Sequence, residues 1–263
     1  MICGLLVLPA QGADYLSPRT AGIGGAGHAA PILNDAIYMN PSFGSFNPGY
    51  TVSVGYVNYD GRNLNVAVQD GRNEMLQAGV GYTQREEGKM VHVGASRSFL
   101  KRTGFGLGAK FFFGSDDMPT GQDFNLSMSG IVSEWVQIAL IADNLRETDA
   151  GKQRNLYRQF TLGTKVNIDK IVLLYADPHL IPNRTDGDAF GHSAGIEFVM
   201  LRDFFWRLGS FRNANVPWLN RHGTGWSTGL GWVGPRFSVD WALTRVTRPV
   251  LESAHTFGLT MYF

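Results

Sequence analysis

The sequence of 263 residues holds one cysteine, Cys3, so disulfides cannot hold the fold together. Charge is scarce: 17% of residues are Asp, Glu, Lys or Arg, against about 25% in ordinary soluble domains. The 23 basic and 22 acidic residues nearly cancel, to a net charge of +1. That balance leaves no basic footprint for nucleic acid and no acidic tail. No apolar run reaches the roughly 18 residues that a membrane-spanning helix requires. The chain is nevertheless 44% hydrophobic, too rich for disorder. What it has in quantity is glycine, 33 residues, and aromatics, 12%. Glycine and aromatics with little charge and no helical span point to an all-β protein that lives in lipid.

From Tyr50 onward the sequence alternates with period two. Val52, Val54 and Tyr56 face one way and Thr51, Ser53 and Gly55 the other. Phe105, Leu107, Ala109, Phe111 and Phe113 repeat the pattern, interleaved with Gly106, Gly108, Lys110 and Phe112. Strands with one apolar face have this period. Fourteen such stretches occur, the last being Thr256–Phe263. The connections after odd-numbered stretches read as longer and more polar: Ser115–Gln122, Asn144–Asn155, Pro178–Ala189, Ser210–Gly223 and Arg245–Ser253. Those after even-numbered ones read as short: Asp70–Asn73, Asp169–Lys170, Leu201–Asp203 and Val233–Arg236. Outer-membrane barrels have short turns at one end and longer loops at the other; a soluble sandwich or propeller has no reason to alternate in this way. The terminal Phe263, on an alternating strand, resembles the recognition signal read by the barrel-assembly machinery. Lipid leaves no water to satisfy a strand edge, so spanning strands must close into a barrel.

The expected architecture is therefore a transmembrane antiparallel β-barrel of about fourteen strands over 50–263. Tyr56, Tyr82, Phe113, Trp226, Trp232 and Trp241 are candidates for interfacial girdles. Lys110, Lys165, Glu197, Arg207 and Asp240 cost too much to face lipid, so they should point inward. Glu197 and Arg207 fall on neighbouring strands and are expected to pair. Residues 1–12 read as a signal peptide: Met1–Pro9 is apolar, and Ala10 and Gly12 suit the −3 and −1 cleavage positions. The alternative there is a buried N-terminal strand. A positive n-region is missing, which points to a start upstream of Met1.

Residues 13–49 do not alternate. They carry a small-residue run, Ala21–Ala30, then Asp35-Ala36-Ile37-Tyr38 and Asn40-Pro41-Ser42. In this the sequence resembles the FadL family of outer-membrane transporters for long-chain fatty acids and other hydrophobic compounds. The resemblance implies an N-terminal plug over 13–49, held by Asp35, Asn40 and Pro41. It also implies a luminal path past Phe112 and Phe205, with Lys110, Glu197 and Arg207 lining the lumen. Ser42 replaces the usual Ala, and the chain is shorter than typical transporters, with short outer loops. The implied function is uptake of fatty-acid-like molecules through a plugged barrel, with lipid and a hydrophobic small molecule as partners, and neither cofactor nor metal. The alternative is a non-transporting scaffold that binds an envelope or secreted protein.

Other signals point nowhere specific. Gly22-Ile23-Gly24-Gly25-Ala26-Gly27 matches G-x-G-x-x-G but lacks the flanking strand and helix of a dinucleotide site. The six histidines show no zinc-ligand spacing. Asp186-Gly187-Asp188 lacks the remaining positions of a calcium loop. His92 and Ser96 share a strand face without a third triad member, so no enzyme is expected.

Overall fold

The computed structural model describes residues 15–59, 63–73, 75–85, 88–99, 101–114, 119–184 and 187–263. The expected signal peptide, with Cys3, lies outside the described residues, as does Asp186. Fourteen strands close into one antiparallel barrel in sequence order, with β14 returning to β1. They are β1 (Tyr50–Asn58), β2 (Asn63–Asp70), β3 (Gln77–Arg85), β4 (Gly88–Phe99), β5 (Thr103–Phe113), β6 (Gly121–Ile131) and β7 (Val136–Asp143). The second half comprises β8 (Gln159–Ile168), β9 (Val172–Leu180), β10 (Phe190–Met200), β11 (Phe204–Val216), β12 (Arg221–Val233), β13 (Phe237–Arg248) and β14 (Glu252–Tyr262). The closing pair runs from Thr51↔Tyr262 to Asn58↔His255, with the Phe263 amide donating to the Tyr50 carbonyl at 2.9 Å. Among the described residues no helix is long and apolar enough to cross a membrane.

Burial is inverted relative to a protein folded in water. The outward positions of β5 are apolar, with Leu107 64% exposed, while inward Lys110 is fully buried. Leu140, Leu126 and Phe160 are exposed, and Asp123, Glu197 and Arg207 are sealed inside. A continuous apolar exterior of this kind is costly in water and neutral in lipid, so the fold is consistent with an outer-membrane protein. Lys110, Glu197, Arg207 and Asp240 all take the inward parity that their charge demands.

Three connections need correction. Ser210–Gly223, expected to be a loop, is mostly strand: β11 continues to Val216 and β12 starts at Arg221. The pairing slips between Phe211 and Ala214, where Asn213 has φ +52°. A bulge shifts side-chain parity by one, and this hid the strand from a period-two reading. Arg245–Ser253 is likewise a hairpin, with Arg245 opposite Ser253 and Val246 opposite Glu252. At the other end, β2 and β3 are joined across 71–76, a longer connection than the expected Asp70–Asn73 turn.

Candidate functional site

The lumen is occupied by the N-terminal segment, which includes α1 (Pro18–Gly22), α2 (Asp35–Met39) and a 3-10 turn over Pro41–Phe46. Pro18 opens α1, and the Ser17 side chain caps it by accepting from the Thr20 amide at 3.2 Å. Asp35 ties α2 to α1: its carboxylate accepts from Ser17 Oγ at 2.7 Å and from Thr20 Oγ1 at 3.0 Å. Burial raises the Asp35 pKa above the usual carboxylate range, against the pull of those hydrogen bonds.

The segment is bonded to walls all around the barrel. Arg19 forks onto Glu197 of β10, with Nε 3.2 Å from Oε2 and Nη2 3.1 Å from Oε1, and Nη2 also meets Tyr175 Oη at 3.0 Å. Arg207, directly opposite Glu197 in the ladder, donates to it at 2.6 Å and to Asp240 at 2.6 Å. The expected Glu197–Arg207 pair is thus part of a larger network that also holds the segment. Farther on, Asp177 of β9 accepts from the amides of Gly27 and His28 at 2.7 and 2.9 Å. The Gly24 amide donates to Ser227 Oγ on β12 at 2.9 Å.

Asn40 is fully buried and bridges three groups. Its Nδ2 donates to the His28 carbonyl at 2.6 Å and to Ser129 Oγ on β6 at 2.8 Å, and its Oδ1 accepts from Ser42 Oγ at 2.5 Å. Pro41 starts the 3-10 turn, with its ring against inward-facing Gly94. Asn40→Ala removes this link and leaves the His28 carbonyl short of a donor, while Ser129 keeps Ser42 Oγ at 2.7 Å, at a cost of about 1–3 kcal/mol. The expected result is a loosened segment and raised ion conductance in planar bilayers. An unchanged conductance would show that Asn40 does not hold it.

Glycine explains how backbone fits against backbone. Several inward positions on the strands are glycine where the segment touches the wall. A Cβ on Gly209 would overlap the backbone of Ile23 and Gly24, and one on Gly106 would overlap Pro41 and Ser42. On the segment side, Gly24, Gly25 and Gly27 have φ of +72°, +79° and +110°, the left-handed region open to glycine. The G-x-G-x-x-G run is thus a turn pressed against β11.

At the end carrying the long loop 144–158, side chains staple that loop into the mouth. Lys110 donates to Asp143 at 2.7 Å and to Asn144 at 3.1 Å. Asp123 accepts from the Arg146 amide at 2.8 Å. Phe112 is buried with Met90, Ala150 and Leu156, with the Arg154 guanidinium over its ring at 5.1 Å. Phe112 and Lys110 therefore sit beneath the loop. Phe205 points inward elsewhere, near Arg207 (5.6 Å), and lines a chamber at the short-turn end. His92 and Ser96 are both buried beneath the segment, with His92 edge-on to Tyr38. Sequence reasoning missed Arg19, Asp177, Ser129 and Ser127, whose Oγ accepts from the Ser42 amide at 2.9 Å, as holders of the segment. Arg19, a cation just before a small-residue run, was the one visible clue.

Among the described residues the lumen keeps two small chambers of about 80 Å³ each, one towards the long-loop end and one towards the short-turn end. A dry cavity needs about 150 Å³ to take benzene, so neither chamber admits a hydrocarbon without movement. On the outside is a groove of about 680 Å³, lined by Phe105, Leu126, Met128, Leu140, Leu162 and Pro178 among others. It lies at a fault in the wall. The β8–β9 ladder pairs Thr161↔His179 and resumes at Thr164↔Ala176, skipping Leu162, Gly163, Asp177 and Pro178. Pro178 has no N–H to donate to a ladder.

The barrel fold recurs in known structures. The Ralstonia pickettii toluene transporter TbuX superposes with a TM-score of 0.69 at 13% identity, over 95% of this chain and 99% of that one. The Pseudomonas putida toluene transporter TodX gives 0.66 at 10%, over 97% and 99%. The CymD monoaromatic hydrocarbon channel gives 0.65 at 11%, over 96% and 98%. The chain shares their fold. No family model matches the sequence, and no curated protein matches it.

Proposed function

We propose that the protein is an outer-membrane channel of the FadL type for hydrophobic small molecules, with the N-terminal segment as its plug. The observation that carries this reading is the β8–β9 fault. The apolar groove lies on its lipid side, and on its luminal side His28 is docked by Asp177, with Ala29 against inward-facing Gly163. Displacing residues 27–29 opens a short way between the lumen and an oily surface, which suits a hydrophobic solute and not a sugar or an ion. The solute crosses without covalent change, driven by burial of its apolar surface. The same reading puts the long-loop end outside, lipid around the exposed band, and Phe263 in the hands of the barrel-assembly machinery. The fold of the toluene channels favours small hydrocarbons over fatty acids, since a short displacement next to an 80 Å³ chamber serves a compact solute better.

The test is uptake by cells lacking the chain and by the complemented strain. Radiolabelled toluene at low concentration is expected to enter faster in the complemented strain, oleate less so, and a disaccharide equally in both. Equal toluene and oleate uptake in the two strains would overturn the proposal.

A further inference from the structure

The outward face of β12, β13, β14 and β1 changes character towards the long-loop end. Ladder partners lie side by side on one face of the wall. Leu230, Trp241, Phe257 and Tyr56 form one outward row, apolar and aromatic. The next row towards the rim carries His255 and Asn58, and the one beyond it is Trp226, Arg245 and Ser253. Two pairs of side chains are tied there. Arg245 Nη1 donates to Ser253 Oγ at 2.8 Å, and the Trp241 indole stacks on the His255 ring at 5.9 Å. The indole N–H donates to His255 Nδ1 at 3.3 Å, so His255 Nε2 carries the ring proton and is left as a donor. Among the described residues Arg245 has no ion pair. Glu252 takes the inward parity, opposite buried Val246, whereas Arg212 at the same rim is matched by Asp188 at 3.0 Å. On the far side of the barrel the outward row at this end is Ala142, Phe160 and Leu180, without a charge.

We propose that this patch is the docking site of a phosphorylated glycolipid in the outer leaflet of the membrane. Arg245 meets the phosphate, since a guanidinium holds donors beyond the one given to Ser253 and matches phosphate oxygens with paired N–H bonds. Ser253, Asn58 and His255 Nε2 face the sugar hydroxyls. Trp226 and Trp241 sit where amphipathic rings gather at a membrane surface. Exposed Leu230, Phe257 and Tyr56 take the acyl chains below. A phospholipid offers the phosphate but no sugar for the polar row, and that favours the glycolipid. The site rests on the proposed function only for which end faces out, and it needs no movement of the N-terminal segment.

The experiment titrates the full chain in detergent micelles with diphosphoryl lipid A, with the same lipid stripped of its phosphates, and with phosphatidylglycerol. Bound lipid is read by native mass spectrometry, and folding is checked by heat-modifiable mobility on gels. Diphosphoryl lipid A is expected to bind the wild type most tightly of the three. Arg245→Gln should weaken it roughly tenfold, the loss of one charge-assisted contact. His255→Ala should weaken it about threefold, the loss of one neutral hydrogen bond, and carries the test if Arg245→Gln fails to fold. Arg97→Gln removes an outward cation at the short-turn end, beside Phe99, and should bind like the wild type. Equal binding of the phosphorylated and stripped lipids, or of lipid A and phosphatidylglycerol, would overturn the site. So would wild-type binding in the Arg245 and His255 variants, or an Arg97→Gln variant as weak as Arg245→Gln. Binding is read without any transported solute. A failure of toluene uptake therefore leaves the lipid site standing, and a failure of lipid binding leaves the transport reading standing.

Discussion

Gly209→Leu is expected to turn the protein into an open, ion-leaking barrel. Gly209 faces inward on β11, and any Cβ there would overlap the backbone of Ile23 and Gly24. A leucine adds four carbons into that contact, and neither partner is a flexible side chain that can turn away. Overpacking of this sort costs about 1–3 kcal/mol where side chains can adjust, and backbone against backbone adjusts least. The strand keeps its ladder, because the hydrogen bonds of β11 to β10 and β12 do not involve the side chain. The segment is the part that yields. Conductance in planar bilayers should rise several-fold, and cells should become sensitive to large antibiotics that the outer membrane normally excludes. Leu208→Ala, one residue along and facing outward, should do neither. If Gly209→Leu folds and conducts like the wild type, the segment does not obstruct the lumen through this contact.

Glu197→Gln should undock the segment more severely than Arg19→Met does. Glu197 is 1% exposed and receives two arginines, Arg19 from the segment and Arg207 from the facing strand. Removing its charge leaves one amide oxygen for the two arginines to share, so that Arg19 keeps no bonded carboxylate, only the Tyr175 hydroxyl besides, and Arg207 keeps Asp240. Breaking a buried pair from one side costs about 3–5 kcal/mol, because the other charge stays buried. Arg19→Met is milder, since Glu197 keeps Arg207 and the methionine fills much of the vacated volume. Limited proteolysis from the short-turn end reads the difference: the segment should be cleaved fastest in Glu197→Gln, slower in Arg19→Met and slowest in the wild type. Equal rates in the two variants would show that the network is not centred on Glu197.

The barrel was legible because a membrane wall obeys a strict rule at every strand. Alternation such as Phe105–Phe113 survives in the sequence since each outward residue must be apolar and each inward one must not face lipid. The inward charges follow from the same rule, and the direct Glu197–Arg207 opposition needed only the right register. Legibility failed where the rule lapses. Beyond the membrane both strand faces can be polar or packed, so the β11–β12 extension, with its bulge at Asn213, reads as a loop. The contents of the lumen are hidden for another reason. Ser127, Ser129 and Asp177 look like ordinary inward polar residues, and only the folded segment shows that each holds a particular amide or hydroxyl. The wall glycines were visible as composition but not as contacts. Their meaning depends on which backbone arrives opposite them, a relation between positions some 180 residues apart, as with Ile23 and Gly209.

The attachments of the segment limit how far it can withdraw. With it gone, Glu197, Asp177 and Arg207 would face an empty tube and draw in water and counterions. A bore lined that way is electrically wet. It would drain ion gradients across the membrane and present an oily passenger with a wall it avoids. Under the proposed function, the barrel would serve hydrophobic cargo only by small excursions that keep its charges covered, and complete ejection of the segment would be a state of damage.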